Sequence, residues 1–217
     1  MSLRMGLKFL RFFIVERNLS VKRITRGLKT TMKAKRLWWT IRLALTPGGG
    51  KRTSYARKNK IYGAMGENVY IQSRVIPLYS ELIKFHNNIA IARNVDFCTH
   101  DIIHTMLNRI QRDLKFKERI GCIEIMDNVF VGSNSVILYG TKIGPNVIIA
   151  SGSVVTKDCE PDSVYAGCPA MKVGSLSDFI ERRKTGEADG SIPTTTHNQA
   201  LTDEEIQNAW KEFDEVH

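Results

Sequence analysis

Cysteine is scarce in this chain: four in 217 residues, at positions 98, 122, 159 and 168, with no Cys-x-x-Cys pair. That spacing excludes a disulfide-dense scaffold, and the four read as small, reduced core residues of a cytoplasmic protein. Long apolar runs are missing as well. Phe12–Val15 is four residues long before Glu16 and Arg17 intervene. That is too short for the apolar centre of a secretory signal and far below the ~20 residues of a membrane span, so no transmembrane helix is expected. Acidic residues are nearly absent from residues 1–60, where Glu16 alone faces 17 lysines and arginines, whereas the rest of the chain holds 15 basic and 21 acidic side chains. The formal charge of +10 therefore belongs to an N-terminal arm and not to the body. No nucleic-acid reader motif accompanies the basic run, and no nucleic-acid partner is expected.

What the chain does have is a rhythm of six. Ile125, Val131, Ile137, Ile143, Ile149 and Val155 stand in one unbroken register. Four places after each of the first five comes a small or β-branched residue of a second column, Val129, Ser135, Thr141, Val147 and Ser153, which Cys159 continues. Turn formers fill the gaps, as in Asp127-Asn128, Ser133-Asn134, Gly144-Pro145-Asn146 and Ser151-Gly152. A helix would repeat at 3.6 and a hairpin strand at 2, whereas a period of six suits a parallel β-helix, where each short strand forms one flat wall before the chain turns a corner.

Three regions follow. Residues 1–60 form a basic α-helical arm, with Leu3, Leu7, Leu10 and Ile14 at helical spacing and a second helix running from after Ser20 through Ile24, Leu28, Met32, Trp38, Ile41 and Leu45 to the breaker Thr46-Pro47-Gly48-Gly49-Gly50. This arm either caps an open coil end and packs on neighbouring subunits, or lies on an anionic membrane surface with Trp38 and Trp39 at headgroup level. Residues 61–173 form the β-helix. Its rhythm fails over 101–121, a polar, aperiodic stretch that reads as a loop thrown out from one corner. Residues 174–217 form a helical tail. Ser177 caps a short helix to Lys184, a polar linker covers 185–200, and Thr202-Asp203-Glu204-Glu205 is a capping box for an amphipathic helix through Ile206, Trp210 and Phe213.

The segments Ile125–Gly132, Ile143–Val147, Ala150–Asp158 and Ala166-Gly167-Cys168-Pro169-Ala170 resemble the hexapeptide-repeat acyltransferases, and within them the maltose/galactoside acetyltransferase-like and capsular-polysaccharide O-acetyltransferase-like branches. The resemblance spans residues 62–184. It implies a mainly β fold, a left-handed parallel β-helix, assembled as a homotrimer with acetyl-CoA lying between adjacent subunits and no metal. It also implies acetyl transfer from acetyl-CoA to a hydroxyl of a sugar or surface-polysaccharide precursor, with the basic arm a possible point of peripheral membrane contact.

An alcohol is almost wholly protonated at neutral pH, so attack on a thioester needs a positioned base, and histidine titrates near working pH. The chain offers His86, His100, His104, His197 and His217. Cys98-Thr99-His100-Asp101 sits where the repeat yields to the excursion and matches the family's Thr-His step, so His100 is the expected general base, with His104 the alternative. Asp101 would orient a ring or cap a turn. By the same resemblance Gly132 and Ser133 face the oxyanion, Ser133, Ser151, Thr156 and Lys157 touch the cofactor, and Lys172, one place later than the family's usual basic residue, is a further contact. Tyr79, Ser80, Glu81, Asn87, Asn88 and Asp96 surround the place for an acceptor. A different class stays open: His86, His100 and His104 could form a three-histidine zinc site of the γ-carbonic-anhydrase type. Within the enzyme class a xenobiotic (antibiotic) acetyltransferase is the alternative acceptor reading.

Overall fold

The structure, a computed structural model, describes residues 32–195 and 200–216. The helical segments expected over 1–31, and His197 and His217, lie outside the described residues. Two compact units divide at Leu45/Thr46, inside the stretch that composition groups as the arm. Of the first unit, helix α1 (Met32–Leu45) is described; it buries Leu43 and leaves Leu37, Trp38, Ile41 and Leu45 exposed.

The second unit opens with α2 (Gly49–Lys58), which starts inside the glycine run. Thr53 fixes it to the coil: its hydroxyl donates to Gly49 O and accepts from Ile71 N, each at 3.0 Å. The coil follows: β1 (Ala64–Met65), β2 (Val69–Ile71), a 3-10 turn at Ser80–Leu82, β3 (Ile83–Phe85), β4 (Ile89–Ile91) and β5 (Asp96–Cys98). The excursion contributes β6 (His100–Asp101), α3 (Ile103–Ile110) and β7 (Arg119–Ile120). Regular coils resume with β8 (Ile123–Ile125), β9 (Val129–Val131), β10 (Val136–Leu138), β11 (Thr141–Ile143), β12 (Val147–Ile149), β13 (Val154–Val155) and β14 (Ser163–Ala166). Then come β15 (Met171–Ser175), α4 (Leu176–Ala188) and α5 (Asp203–Val216).

These strands stack as three parallel walls of a left-handed parallel β-helix. The first wall orders β1-β3-β8-β11, the second β2-β4-β9-β12-β14 with β15 antiparallel at its end, and the third β5-β10-β13. All six residues of the sequence register point inward and are at most 1 % exposed. The small column is buried beside them because its hydroxyls are satisfied within the coil: Ser153 donates to Ala150 O at 2.7 Å, Ser135 to the same oxygen at 3.1 Å, and Thr141 to Leu138 O at 2.7 Å. Without those acceptors each buried hydroxyl would cost about 1–3 kcal/mol.

Corners explain the asparagines. Between the first and second walls Asn88, Asn128, Asn146 and Asp162 all adopt left-handed backbone, with φ of 54, 58, 59 and 54°. Their side chains form a ladder, Asn88 to Asn128 at 2.7 Å, Asn128 to Asn146 at 2.8 Å and Asn146 to Asp162 at 2.8 Å. Asn tolerates this backbone better than other residues with a side chain and adds a hydrogen bond. Gly132 meets a different demand at the next corner, where a Cβ would lie 2.4 Å from Ser151 N in the coil below.

Two sequence expectations change in detail. The excursion is not a plain loop: α3 carries Ile103, Met106, Leu107 and Ile110 at helical spacing, and β6 pairs antiparallel with β7 to close its neck. The tail helix is capped by Ser175, whose hydroxyl accepts from Asp178 N at 3.1 Å, and it runs to Ala188, beyond Lys184. The Thr202/Glu205 box is present, with Glu205 N donating to Thr202 Oγ1 at 3.2 Å and Thr202 N to Glu205 Oε2 at 2.8 Å. Among the described residues no helix is long and apolar enough to cross a membrane.

Candidate active site

His100 stands at the corner where the third wall would return to the first. Its backbone is locked by pairing with Ile120, by Gly121 N donating to Thr99 O at 2.9 Å, and by the buried Thr99 hydroxyl donating to Leu78 O. The imidazole packs edge-on against Tyr79, ring centroids 5.5 Å apart, and its Nε2 lies 3.9 Å from Glu118 Oε1. Tyr79 donates its hydroxyl to Glu118 Oε2 at 3.1 Å, which raises the phenol's pKa. Tyr79 itself holds left-handed backbone, φ 54° and ψ 44°. An aromatic residue there is strained, and such strain gathers at sites where a side chain must be aimed. The Nδ1 atom of His100 is buried without a hydrogen-bond partner, so Nε2 is the ring nitrogen with a polar neighbour.

Asp101 does not orient a histidine ring by a hydrogen bond. One oxygen caps α3 by accepting from Ile103 N at 3.0 Å, and the other accepts from the Tyr139 hydroxyl at 2.6 Å. That phenol hydrogen bond leads the causes that hold the Asp101 carboxyl below its ordinary range. Arg119 lies over the Tyr139 ring at 5.0 Å. His104 sits in the first turn of α3 with Nδ1 buried and unpartnered. His86 is turned elsewhere, its Nε2 3.0 Å from Glu124 Oε1 on the first wall. Among the described residues no three His, Cys, Asp or Glu side chains are grouped to hold one metal ion.

The expected cofactor residues divide between two corners. Gly132, Ser133 and Ser151 lie between the second and third walls, stacked by Gly132 N donating to Ile149 O and Gly152 N to Ser133 O, both at 2.8 Å. Thr156 and Lys157 follow β13 and lie on the His100 side of the third wall. There a cleft of about 250 Å³ is lined by Thr156, Lys157, Tyr165, Met171 and Lys172. Lys172 is within 3.1 Å of Glu160 Oε2. An exposed pair of this kind contributes about 0–1 kcal/mol, so Lys172 can exchange it for another anion. A wider concavity of about 480 Å³ lies over the outer face of the second wall between Tyr70 and Ile148. Its lining holds no acid and no imidazole.

Sequence reasoning placed Tyr79 near the acceptor without a role, and it missed Glu118, Arg119 and Tyr139 altogether. Tyr79 and Glu118 are 39 residues apart and Asp101 and Tyr139 are 38 apart. No local motif announces such pairs; only the coil's stacking brings them together. The expectation of four core thiols holds for Cys159 alone: Cys98 is half-buried, and Cys122 and Cys168 are exposed, outside the core. All four are free, and burial pushes Cys98 up to about 11 and Cys159 up to about 12.

A stacked coil of hexapeptides is a recognisable architecture. Residues 123–157 match the family profile described as Bacterial transferase hexapeptide (six repeats). Galactoside O-acetyltransferase of Escherichia coli K12 is 32 % identical over 115 residues, covering 52 % of this chain and 54 % of that protein. The 2,3,4,5-tetrahydropyridine-2,6-dicarboxylate N-acetyltransferase of Staphylococcus aureus strain JH9 is 38 % identical over 60 residues, covering 28 % of this chain and 25 % of that protein. The chain thus spans about half of the first relative's length and a quarter of the second's. A crystal structure of a hexapeptide-repeat-containing acetyltransferase from Vibrio cholerae shares the fold, with TM-score 0.51 at 23 % identity over 66 % of this chain and 89 % of that one. Over residues 123–157 the chain therefore carries the hexapeptide repeat of that profile, and over its coil it is similar to acetyltransferases built on it.

Proposed function

We propose that this protein transfers an acetyl group from acetyl-CoA to a hydroxyl of a sugar or polysaccharide precursor, with His100 as general base, in a homotrimer whose sites lie between subunits. The observation that carries the reading is the setting of His100: a paired backbone, a strained Tyr79 packed perpendicular to its ring, and Nε2 3.9 Å from Glu118. The chemical names of the relatives support the reaction class, and Lys157 and Lys172, which share the 250 Å³ cleft with Asp158 and Glu160, offer cations to a ligand bearing phosphates.

Acetyl-CoA supplies the acetyl group as an activated thioester. His100 Nε2 takes the acceptor's proton as the acceptor oxygen bonds to the carbonyl carbon, and returns a proton to the departing thiolate sulfur. Glu118, 3.9 Å away, stabilises the imidazolium formed between those two transfers. The Gly132 N–H is committed to Ile149 O, so the N–H of Ser133 is our oxyanion donor. Asp101 holds the neck of the excursion through Tyr139 and Ile103. His100 and Ser133 of one chain flank opposite edges of the third wall. A single site that uses both therefore draws His100 from one subunit and Ser133 with Ser151 from the next. Four free thiols suit a reducing, cytoplasmic setting.

The decisive experiment is an acceptor screen with acetyl-CoA, reading free-thiol release against sugars, nucleotide sugars, lipid-linked sugars, amino sugars and antibiotics. Release with a sugar hydroxyl supports the proposal. Release with amines alone moves the chemistry from oxygen to nitrogen. No release with any acceptor, and no acetyl-CoA binding, overturns it.

A further inference from the structure

The corner that carries Ser133 and Ser151 continues into the coils above, where it becomes strongly basic. Asn134 N donates to Arg93 O at 3.0 Å, the Asn94 side chain donates to that of Asn134 at 3.2 Å, and Gln72 N donates to Ile91 O at 2.9 Å. Those bonds stack the segments around Gln72, Arg93 and Ser133 in successive turns of one column. At its top lies a pocket of about 310 Å³ lined by Gly48, Arg52, Tyr70, Gln72, Arg74 and Arg93. No acidic side chain lines it.

Two independent features make this pocket short of an anion. The first is Arg52, 6 % exposed, which spends Nη1 on Thr46 O at 3.0 Å and Nη2 on Gln72 O at 3.2 Å, while its Nε is buried with no acceptor. That Nε is also closed off from solvent, so the backbone carbonyls fix the guanidinium in place and its charge, together with Arg74 and Arg93, is what the pocket offers an anion. Burial and then the charge of Arg74 push this guanidinium below its ordinary value, as expected where counter-charge is lacking. The second is the start of α2. Gly48, Gly49 and Gly50 place no side chain over it, there is no side-chain cap, and no acidic residue occupies the first turn. Its leading N–H groups and positive dipole end meet the same space.

We propose that Arg52, Arg74, Arg93 and the N-terminus of α2 bind the phosphate group of a phosphorylated acceptor, such as a sugar phosphate. The acceptor assignment rests on the acetyltransfer reading above: the pocket continues the Ser133 column, which in that reading faces the neighbouring subunit's base. Bidentate guanidinium contacts and free helix N–H groups select phosphate over a neutral hydroxyl.

The test uses the full chain. Calorimetric titration with inorganic phosphate, at ionic strength held constant with chloride, should show saturable binding that Arg93→Gln weakens at least tenfold. Arg93 is exposed, so that variant should melt like the wild type, and Arg74→Gln provides a second probe. A hexose 1-phosphate should displace inorganic phosphate. In thiol-release assays the hexose 1-phosphate should have a KM at least tenfold below that of the plain hexose, and Arg93→Gln should erase this difference while keeping kcat. No phosphate binding beyond the chloride control, or binding unchanged in both variants, overturns the site. Phosphate binding without preference between the two sugars overturns the acceptor assignment. Absence of thiol release with every acceptor, while phosphate still binds the wild type and not the variants, overturns the acetyltransfer reading and the acceptor role with it, and upholds the anion site.

Discussion

Each side chain that matters here is held by partners far away in sequence. Thr99-His100 stands out in the sequence because it falls where the repeat breaks and matches the Thr-His step of the similar family. Its companions were not legible, since Tyr79 and Glu118 meet only after the chain completes a turn. His100→Ala should lower acetyl transfer by about 10²–10⁴-fold while acetyl-CoA affinity, measured by titration, stays within about twofold. Wild-type turnover would remove His100 as the base. The left-handed asparagines are equally specific. Asn128→Ala should lower unfolding free energy by about 2–3 kcal/mol, from backbone strain of roughly 1–2 kcal/mol and the loss of side-chain bonds to Asn88 and Asn146. Asn128→Gly should cost less, because only the bonds are lost, and urea unfolding of both variants separates the contributions. For Asp101 the sign is fixed by a folded pKa below the ordinary value. Its contribution to holding the excursion is present above the unfolded carboxylate range and fades as pH falls through the lower, folded pKa. Tyr139→Phe removes the leading cause, so carboxyl NMR should find the Asp101 titration moved upward; an unmoved midpoint would discount that hydrogen bond.

At the scale of elements the hexapeptide rhythm did most of the specification. A period of six placed every core strand from β8 to β13 because each strand of two or three residues turns only one or two side chains inward before a corner must follow. Ile137 shows the consequence. It is fully buried in β10, in register with Phe97 of β5 and Val155 of β13, so Ile137→Ala should cost about 2–5 kcal/mol by denaturant unfolding, against under 0.5 kcal/mol for a solvated turn position such as Glu160→Ala. The excursion resisted sequence reading for the opposite reason. Its helix α3 carries an apolar stripe, Ile103, Met106, Leu107 and Ile110, with Arg109 as its one charged residue, but the excursion's other charges crowd around it in sequence, and none of the helix is buried in the single chain. Polar composition therefore masked a genuine 3.6 period in a segment only eight residues long.

For the whole molecule the central matter is how residues are dealt among corners. If the catalytic site joins His100 of one subunit to the Ser133–Ser151 corner of another, His100→Ala and Ser151→Trp should each be inactive alone, yet regain measurable thiol release when co-expressed in mixed trimers. Continued inactivity in verified mixed assemblies would place both sets within one chain's reach. Removing residues 1–45, the first compact unit, should leave a cooperatively folding remainder of unchanged oligomeric state by light scattering. Removing residues 1–52 takes away the start of α2 and Arg52, and should cost phosphate binding as well.

By itself the sequence determined the coil, its inward columns, its asparagine and glycine corners and the histidine at its break, because each follows from a period that neighbouring residues reveal. It also implied which residues would meet a nucleotide-bearing cofactor, through likeness to a family and not through physics. Only the tertiary structure decided that Glu118 and not Asp101 faces His100, that the residues expected at the cofactor fall on two corners, and that Arg52, Arg74 and Arg93 line one pocket. Those facts depend on which turn of the coil lies above which, and an excursion or irregular coil changes that stacking without leaving any mark in the local pattern.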